Sequence, residues 1–211
     1  MSEAELMVWA LLVPAAGAVV IALAGRAGPN LREFCTLATA GTLAVITWNI
    51  APAVAAGERP AITLAEVLPG IELAFKAEPL GMMFALLASS LWIVNSVYSI
   101  GYMRGNNEKH QTRFYVMFAV SLAATMGIAL AANLFTLFLF YEILTLATYP
   151  LVAHKGDAAT VRSARVYLGV LLTTSIGLFL PAIIWTYVVA GSGDFVPGGI
   201  IEGNLSGPLV G

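Results

Sequence analysis

Long apolar stretches, separated by short polar ones, dominate the pattern along this chain. A transmembrane helix needs about 20 mainly apolar residues, and six stretches are of about that length. They run over residues 6–24, 34–54, 80–103, 114–132, 134–152 and 167–189. The first differs from a secretory signal peptide because Glu3 and Glu5 stand where a positive leader would be. The pattern predicts an all-α membrane protein with about six transmembrane helices.

A shorter pattern separates the second and third helices. Hydrophobic residues alternate with polar or small ones over 62–64 and again over 71–76, and Pro69-Gly70 lies between the two runs. Alternation is typical of strands, and Pro-Gly favours a turn. We therefore expect a short β-hairpin outside the bilayer, the alternative being an irregular loop.

These elements predict four regions along the chain. Helices one and two occupy residues 1–54, the external hairpin 55–79, and helices three to six 80–190. Residues 191–211 are rich in glycine and resemble a loop leading to a seventh helix that the sequence lacks. The expectation is that the chain is the N-terminal part of a longer subunit or half of a split one.

Composition supports the membrane assignment. Hydrophobic residues make up 59% of the chain and charged ones only 10%, against about 25% charged in an average soluble domain. A soluble core cannot bury so much apolar surface, and disordered chains show the opposite composition. The net charge of −2 argues against nucleic acid as a partner. One cysteine and two histidines predict neither an internal disulfide nor a structural zinc site, and we expect no metal and no cofactor.

Basic residues predict the orientation, because cytoplasmic loops carry an excess of lysine and arginine. The side that carries the hairpin has only Arg59 and Lys76. The loops joining helices 1–2, 3–4 and 5–6, with their helix ends, carry the other eight, which are Arg26, Arg32, Arg104, Lys109, Arg113, Lys155, Arg162 and Arg165. We expect a multi-pass protein of the inner (plasma) membrane, with the N-terminus and the hairpin on the periplasmic side.

Glu142 is the acidic residue that lies deep within a predicted span. It is near the middle of the fifth helix, whereas the other eleven acidic residues lie outside the spans or at their edges. Placing a charge at that depth costs about 2.5–3.5 kcal/mol on insertion scales. Burial and a nearby cation then compete over whether the carboxyl group is charged, which is the balance that a proton relay requires. The alternative is a protonated glutamic acid that only holds two helices together.

Several polar residues are candidates to assist Glu142. Thr145 and Tyr149 share its helix face, although ordinary contacts between helices also explain them. Arg165 is the deepest basic candidate, with snorkelling to the membrane surface as the alternative. The run 173–175 contains three hydroxyl groups that can satisfy the backbone around a break in helix six. Three residues at the cytoplasmic ends are candidates to admit protons, namely His110, His154 and Lys155.

The segment around Glu142 resembles a known family. The run from Asn133 to His154, NLFTLFLFYEILTLATYPLVAH, is similar to the fifth helix of the proton-conducting membrane transporters. That family comprises antiporter-like subunits of respiratory complex I, membrane-bound hydrogenases and Mrp-type cation/proton antiporters. The wording YEILTLATYPL is most similar to the D-type member of the Mrp antiporters. The hairpin and the outside N-terminus also fit this family.

The resemblance implies that Glu142 moves protons together with lysines further along the chain. Two positions depart from the family pattern. Val166 precedes Tyr167 where relatives often have lysine, so Arg165 stands one position away, and Glu78 replaces an aspartate. The lysine that the family carries on a broken seventh helix has no counterpart in this sequence.

From these residues we expect a proton-translocating subunit of a multisubunit Na⁺/H⁺ antiporter, partnered by other membrane subunits and by the lipid bilayer. A first alternative is a proton-pumping membrane subunit of a complex I-like NADH:quinone oxidoreductase or a membrane-bound hydrogenase. A second alternative is a non-transporting membrane scaffold. The first interpretation makes the chain a transporter subunit rather than an enzyme.

Overall fold

The computed structural model describes residues 2–201 as a helical protein with one small sheet. Within that range, six helical segments are long and apolar enough to cross a membrane, which confirms the predicted all-α membrane fold. A π-helical turn over Ser175–Phe179 divides the last segment into two parts. The helices are α1 (Glu3–Ala27), α2 (Pro29–Ala55), α3 (Pro79–Gly105), α4 (Gln111–Ala129), α5 (Leu134–Val152), α6 (Ala158–Thr174) and α7 (Leu180–Ala190).

The predicted hairpin between helices two and three is also confirmed. Strand β1 (Ala61–Leu68) pairs antiparallel with β2 (Ile71–Lys76), and Gly70 adopts a positive φ of 77° in the turn. A positive φ is readily adopted by glycine because it has no Cβ atom. The alternative of an irregular loop is therefore wrong.

The fourth helix ends earlier than hydropathy predicts. The predicted span continued to residue 132, whereas α4 ends at Ala129. The next residues pair with the hairpin instead, because the Lys76 N–H donates to Leu130 O at 2.7 Å and the Ala132 N–H donates to Ala74 O at 3.0 Å. Hydropathy could not reveal this change, since the alanines involved are equally apolar in either conformation.

The sixth helix begins earlier than predicted. Its apolar stretch starts at residue 167, but α6 starts at Ala158, where the Asp157 carboxylate accepts a hydrogen bond from the Thr160 N–H at 2.8 Å. A side-chain oxygen at this position satisfies a free N–H group of the first turn. Of the two predicted locations for Arg162 and Arg165, the loop and the start of the sixth helix, the structure shows the helix.

Four helices form the centre of the protein. Each of α1, α2 and α3 packs against the next, and α4 contacts both α1 and α3, so the ring is closed. Trp92 of α3 and Tyr115 of α4 are almost fully buried inside it. Helix α5 packs on the outside of α4, and α6 packs on α5. The fifth and sixth spans are thus added to one side of a four-helix ring.

Glycines allow the close approaches between helices. A Cβ atom on Gly17 of α1 would overlap Thr39 of α2, and one on Gly127 of α4 would overlap the ring of Phe140 of α5. Interfaces between membrane helices favour small residues because dispersion packing replaces the hydrophobic effect there. The position of α5 against α4 therefore depends on the absence of a side chain at Gly127.

The two ends of the bundle differ in character. At one end the hairpin lies near the N-terminal half of α1, since Leu11 and Leu64 line a common apolar cavity. At the other end the first turns of α2 and α4 meet, where Arg32 of α2 donates a hydrogen bond to Thr112 of α4 at 3.3 Å. The predicted sidedness requires the hairpin and the N-terminus to share one end, and this arrangement is compatible with it.

Candidate functional site

Glu142 lies in the middle part of α5, the fifth span. It follows Leu134, the first residue of the helix, by eight positions and precedes Val152, the last, by ten. The residue is half-buried, and its Oε1 atom is buried without a hydrogen-bond partner among the described residues. A buried carboxyl oxygen without a partner is costly. Protonation of the carboxyl group, or a hydrogen bond from a water molecule or a further polar group, would lower this cost.

Thr145 and Tyr149, which are predicted to assist Glu142, follow it along α5 toward the helix end that lies next to His154. Thr145 is buried, with 4% of its surface exposed, and Tyr149 is half-buried. The Thr148 hydroxyl donates to the backbone oxygen of Thr145 at 2.9 Å. Residues three and seven positions apart lie on one helix face. Thr145 and Tyr149 therefore form a polar strip on the same face of α5 as the Glu142 carboxyl group.

The π-helical turn of the sixth span contacts α5 through Phe179. The Phe179 ring contacts the rings of Phe138 and Tyr141, with centroids 5.8 and 6.0 Å apart. Ser175, the first residue of the turn, is buried and donates a hydrogen bond to Leu172 O at 3.3 Å. Such turns occur frequently at functional sites in membrane and soluble helices. The polar run 173–175 therefore coincides with a real departure from α-helical geometry.

The structure does not bring the predicted basic partner into contact with Glu142. Arg165 and Arg162 are both exposed on α6. The four ion pairs found between residues 2 and 201 join other groups. An influence of Arg165 on Glu142 would thus act through space or through water rather than through a direct bond.

The three residues expected to admit protons differ in their surroundings. His110 and Lys155 are exposed. His154 is half-buried against Phe114, with ring centroids 5.7 Å apart, and both of its ring nitrogens are buried without partners in the part of the chain described. Burial, and then the nearby Arg113 guanidinium, lower the pKa of His154. A neutral imidazole just beyond the C-terminal end of α5 can accept a proton and release it again.

A buried charged cluster at the same end of the bundle escaped the sequence reasoning. Arg32 and Glu33 of α2 are only 6% and 5% exposed, and Glu33 accepts hydrogen bonds from Arg32 at 3.2 Å and from Arg104 Nε of α3 at 3.0 Å. Arg32 also donates to Gln111 Oε1 of α4 at 2.7 Å, and its guanidinium lies 5.1 Å from the centre of the Tyr115 ring. The cluster ties α2, α3 and α4 together.

Part of the chain matches a family model. Residues 131–199, which include all of α5 and its contacts with α6, match the model described as "NADH:quinone oxidoreductase/Mrp antiporter, TM". This match covers the run from Asn133 to His154. Residues 131–199 are therefore similar to this family. The resemblance inferred from the sequence is therefore confirmed.

Proteins of similar sequence include subunits of NADH-quinone oxidoreductases and subunits of Na⁺/H⁺ antiporters. The chain is 31% identical over 123 residues to the N-type subunit of the NADH-quinone oxidoreductase of Desulforudis audaxviator, an alignment covering 58% of this chain and 24% of that protein. It is 28% identical over 116 residues to the D-type subunit of the Na⁺/H⁺ antiporter of Alkalihalophilus pseudofirmus, covering 55% of this chain and 23% of that one. The matched region thus spans about a quarter of the length of these relatives.

A solved structure shares the fold. A chain of the Mrp complex from Dietzia sp. DQ12-45-1b superposes with a TM-score of 0.74 and 21% sequence identity, covering 89% of this chain and 20% of that one. At this identity the likeness concerns the fold alone. It extends the agreement from α5 and α6 to nearly all of the helices described above, so the four-helix ring belongs to the same architecture.

Proposed function

We propose that this chain is a proton-translocating, antiporter-like membrane subunit of a multisubunit monovalent cation (Na⁺)/H⁺ antiporter. One observation carries the proposal, namely that Glu142 has a buried, unpartnered carboxyl oxygen, among the residues described, near the middle of a span. Ionisable groups at that depth are expensive and are usually functional. Glu142 also lies within the segment that matches the family model, which supports a role in ion movement.

In this proposal α5 carries the proton path. Glu142 binds and releases the proton, and Thr145 and Tyr149 support hydrogen bonds along the same face. His154, with His110 and Lys155 nearby, admits protons from the cytoplasmic end. Arg165 favours the charged form of Glu142 through its positive field. The partners are other membrane subunits, because the named relatives are themselves subunits. We choose Na⁺ as the exchanged cation because one of these relatives is named as a subunit of a Na⁺/H⁺ antiporter.

The test is Glu142→Gln in the assembled complex, because glutamine keeps the shape of the side chain but cannot ionise. We expect proton movement in inverted membrane vesicles to be abolished while the amount of assembled complex is unchanged. Glu58→Gln is the matched control, since Glu58 is exposed beyond the end of α2. Normal transport in Glu142→Gln would reject the proposal. Loss of assembly without a specific transport defect would favour a scaffold role.

A second candidate is a membrane subunit of a redox-driven proton pump. It is favoured by the name of the 31% identical relative, which belongs to an NADH-quinone oxidoreductase. The same Glu142 chemistry serves both functions, so only the driving partner distinguishes them. Native mass spectrometry of the complex purified in mild detergent separates the two. Flavin or iron–sulfur subunits in the complex would favour the pump, and small hydrophobic subunits alone would favour the antiporter.

A further inference from the structure

Ser175 is a buried hydroxyl group that the proposed proton path leaves unused. It is 2% exposed, whereas its neighbour Thr174 is exposed. Both are hydrogen-bonded within their own helix, Ser175 to Leu172 O at 3.3 Å and Thr174 to Val170 O at 2.9 Å. The two hydroxyl groups therefore differ chiefly in direction, and the one that faces the protein interior begins the π-helical turn.

The level of Ser175 along the membrane follows from the aromatic contacts. Phe179 lies beside Phe138 and Tyr141 of α5. Ser175 precedes Phe179 by four residues, which is about 6 Å along the axis. Because α5 and α6 are joined by a short connection and run antiparallel, that step leads toward the later residues of α5, to the level of Glu142 and Thr145.

The hydroxyl of Ser175 is chemically suited to a carboxyl group at this level. Its proton is directed to Leu172 O, so the oxygen lone pairs stay available as acceptors. The Glu142 Oε1 atom is buried and lacks a partner within residues 2–201. A protonated carboxyl group needs an acceptor for its O–H group, whereas a carboxylate needs donors. An acceptor at the α5–α6 interface therefore favours the protonated state.

We propose that Ser175 is a positioning residue for Glu142, accepting a hydrogen bond from the protonated carboxyl group through one water molecule. Ser175 shares a helix face with Phe179, four residues on, and Phe179 contacts α5, while the Leu180 N–H donates to Ser175 O, five residues back, and closes the π-helical turn. The inference rests on the proposed function, because it assigns a partner to the proton that Glu142 carries. It adds the sixth span to a path otherwise confined to α5.

The experiment compares Ser175→Ala with Thr174→Ala in the assembled complex, measuring proton movement in inverted vesicles. Loss of one hydrogen bond predicts a rate about three- to tenfold lower in Ser175→Ala and an unchanged rate in Thr174→Ala. A merely structural role would also slow transport, so infrared difference spectra are recorded. The carboxyl C=O band that disappears in Glu142→Gln should shift to higher wavenumber in Ser175→Ala.

The outcomes separate this inference from the proposed function. A normal rate in Ser175→Ala, or a slower rate with an unshifted band, would overturn the role of Ser175 while transport by Glu142 stands. Normal transport in Glu142→Gln would instead reject the proposed function itself. A slower rate together with a shifted band, with Thr174→Ala unaffected in both, is the result expected if Ser175 binds the protonated carboxyl group.

Discussion

His154 shows how a single side chain can make this protein sensitive to acid. Burial and Arg113 lower its pKa in the folded protein below the ordinary value of 6.5. The unfolded chain then binds more protons than the folded one when the pH falls below about 6.5. The stability contributed by the neutral ring is complete above that pH and declines as the pH falls toward the folded-state pKa.

We therefore expect the melting temperature of the complex to fall between pH 7.5 and 5.5, and to fall less in His154→Phe. Phenylalanine keeps the edge contact with Phe114 but cannot be protonated. His110→Phe serves as the control because His110 is exposed. An identical response to pH in the wild type and His154→Phe would contradict this account.

Arg165 offers a second prediction at the scale of one residue. If its charge favours the ionised form of Glu142 through space, Arg165→Ala should lower the transport rate roughly two- to tenfold. Arg162→Ala is the comparison, since both arginines are exposed on the same helix. If Arg165→Ala retains full transport, Arg165 serves only as an anchor at the cytoplasmic surface.

At the scale of elements, the buried charged cluster fixes how α2 and α3 meet. Arg104→Ala removes two hydrogen bonds to the Glu33 carboxylate, and Glu33 is buried. We expect the free energy of unfolding to fall, because the buried Glu33 carboxylate loses two of its donors. Arg26→Ala, an exposed arginine at the same end, should change it little. Equal effects of the two substitutions in thermal unfolding would argue against the cluster as a tie between helices.

The contact between α4 and α5 gives a prediction based on packing. Gly127→Leu would force a side chain into the ring of Phe140, and overpacking of this kind typically costs about 1–3 kcal/mol. Gly101→Leu is the matched control because nothing lies near its Cβ position. The measurement is the yield and melting temperature of the complex, and a normal value for Gly127→Leu would mean that α5 can shift freely on α4.

Local sequence patterns predicted the elements well because each depends on neighbouring residues. Apolar length marked the spans, and alternation around Pro69-Gly70 marked the hairpin. The cluster of Glu33 with Arg104 was not predictable in this way, since the two residues are 71 positions apart. Glu33 also lay just outside the apolar stretch of the second span, where a charge needs no explanation. Pairings of this kind are decided by tertiary packing, which one sequence does not reveal.

At the scale of the whole molecule, the predicted sidedness is open to direct measurement. In a chain whose own Cys35 is replaced by alanine, single cysteines at Glu66 of the hairpin and at Lys109 between α3 and α4 should be labelled from opposite sides. Both positions are exposed. Labelling of Glu66→Cys in intact cells and of Lys109→Cys only after permeabilisation is the expected result. The reverse pattern would invert the orientation and the direction of the proposed path.

The attachment of α5 at its hairpin end has a mechanical consequence. Asn133 donates to Glu72 O at 2.9 Å, Thr136 accepts from the Ala74 N–H at 3.1 Å, and the Leu134 N–H donates to Gly193 O at 2.9 Å. A tilt of α5 would therefore pivot near Asn133. Glu142 lies roughly 13 Å along the axis from this pivot, and the end of the helix near Ala153 roughly 30 Å. The carboxyl group would sweep a little under half the arc of the helix end near Ala153. A push delivered at that end by a neighbouring protein would therefore reach Glu142 reduced in amplitude but unchanged in direction.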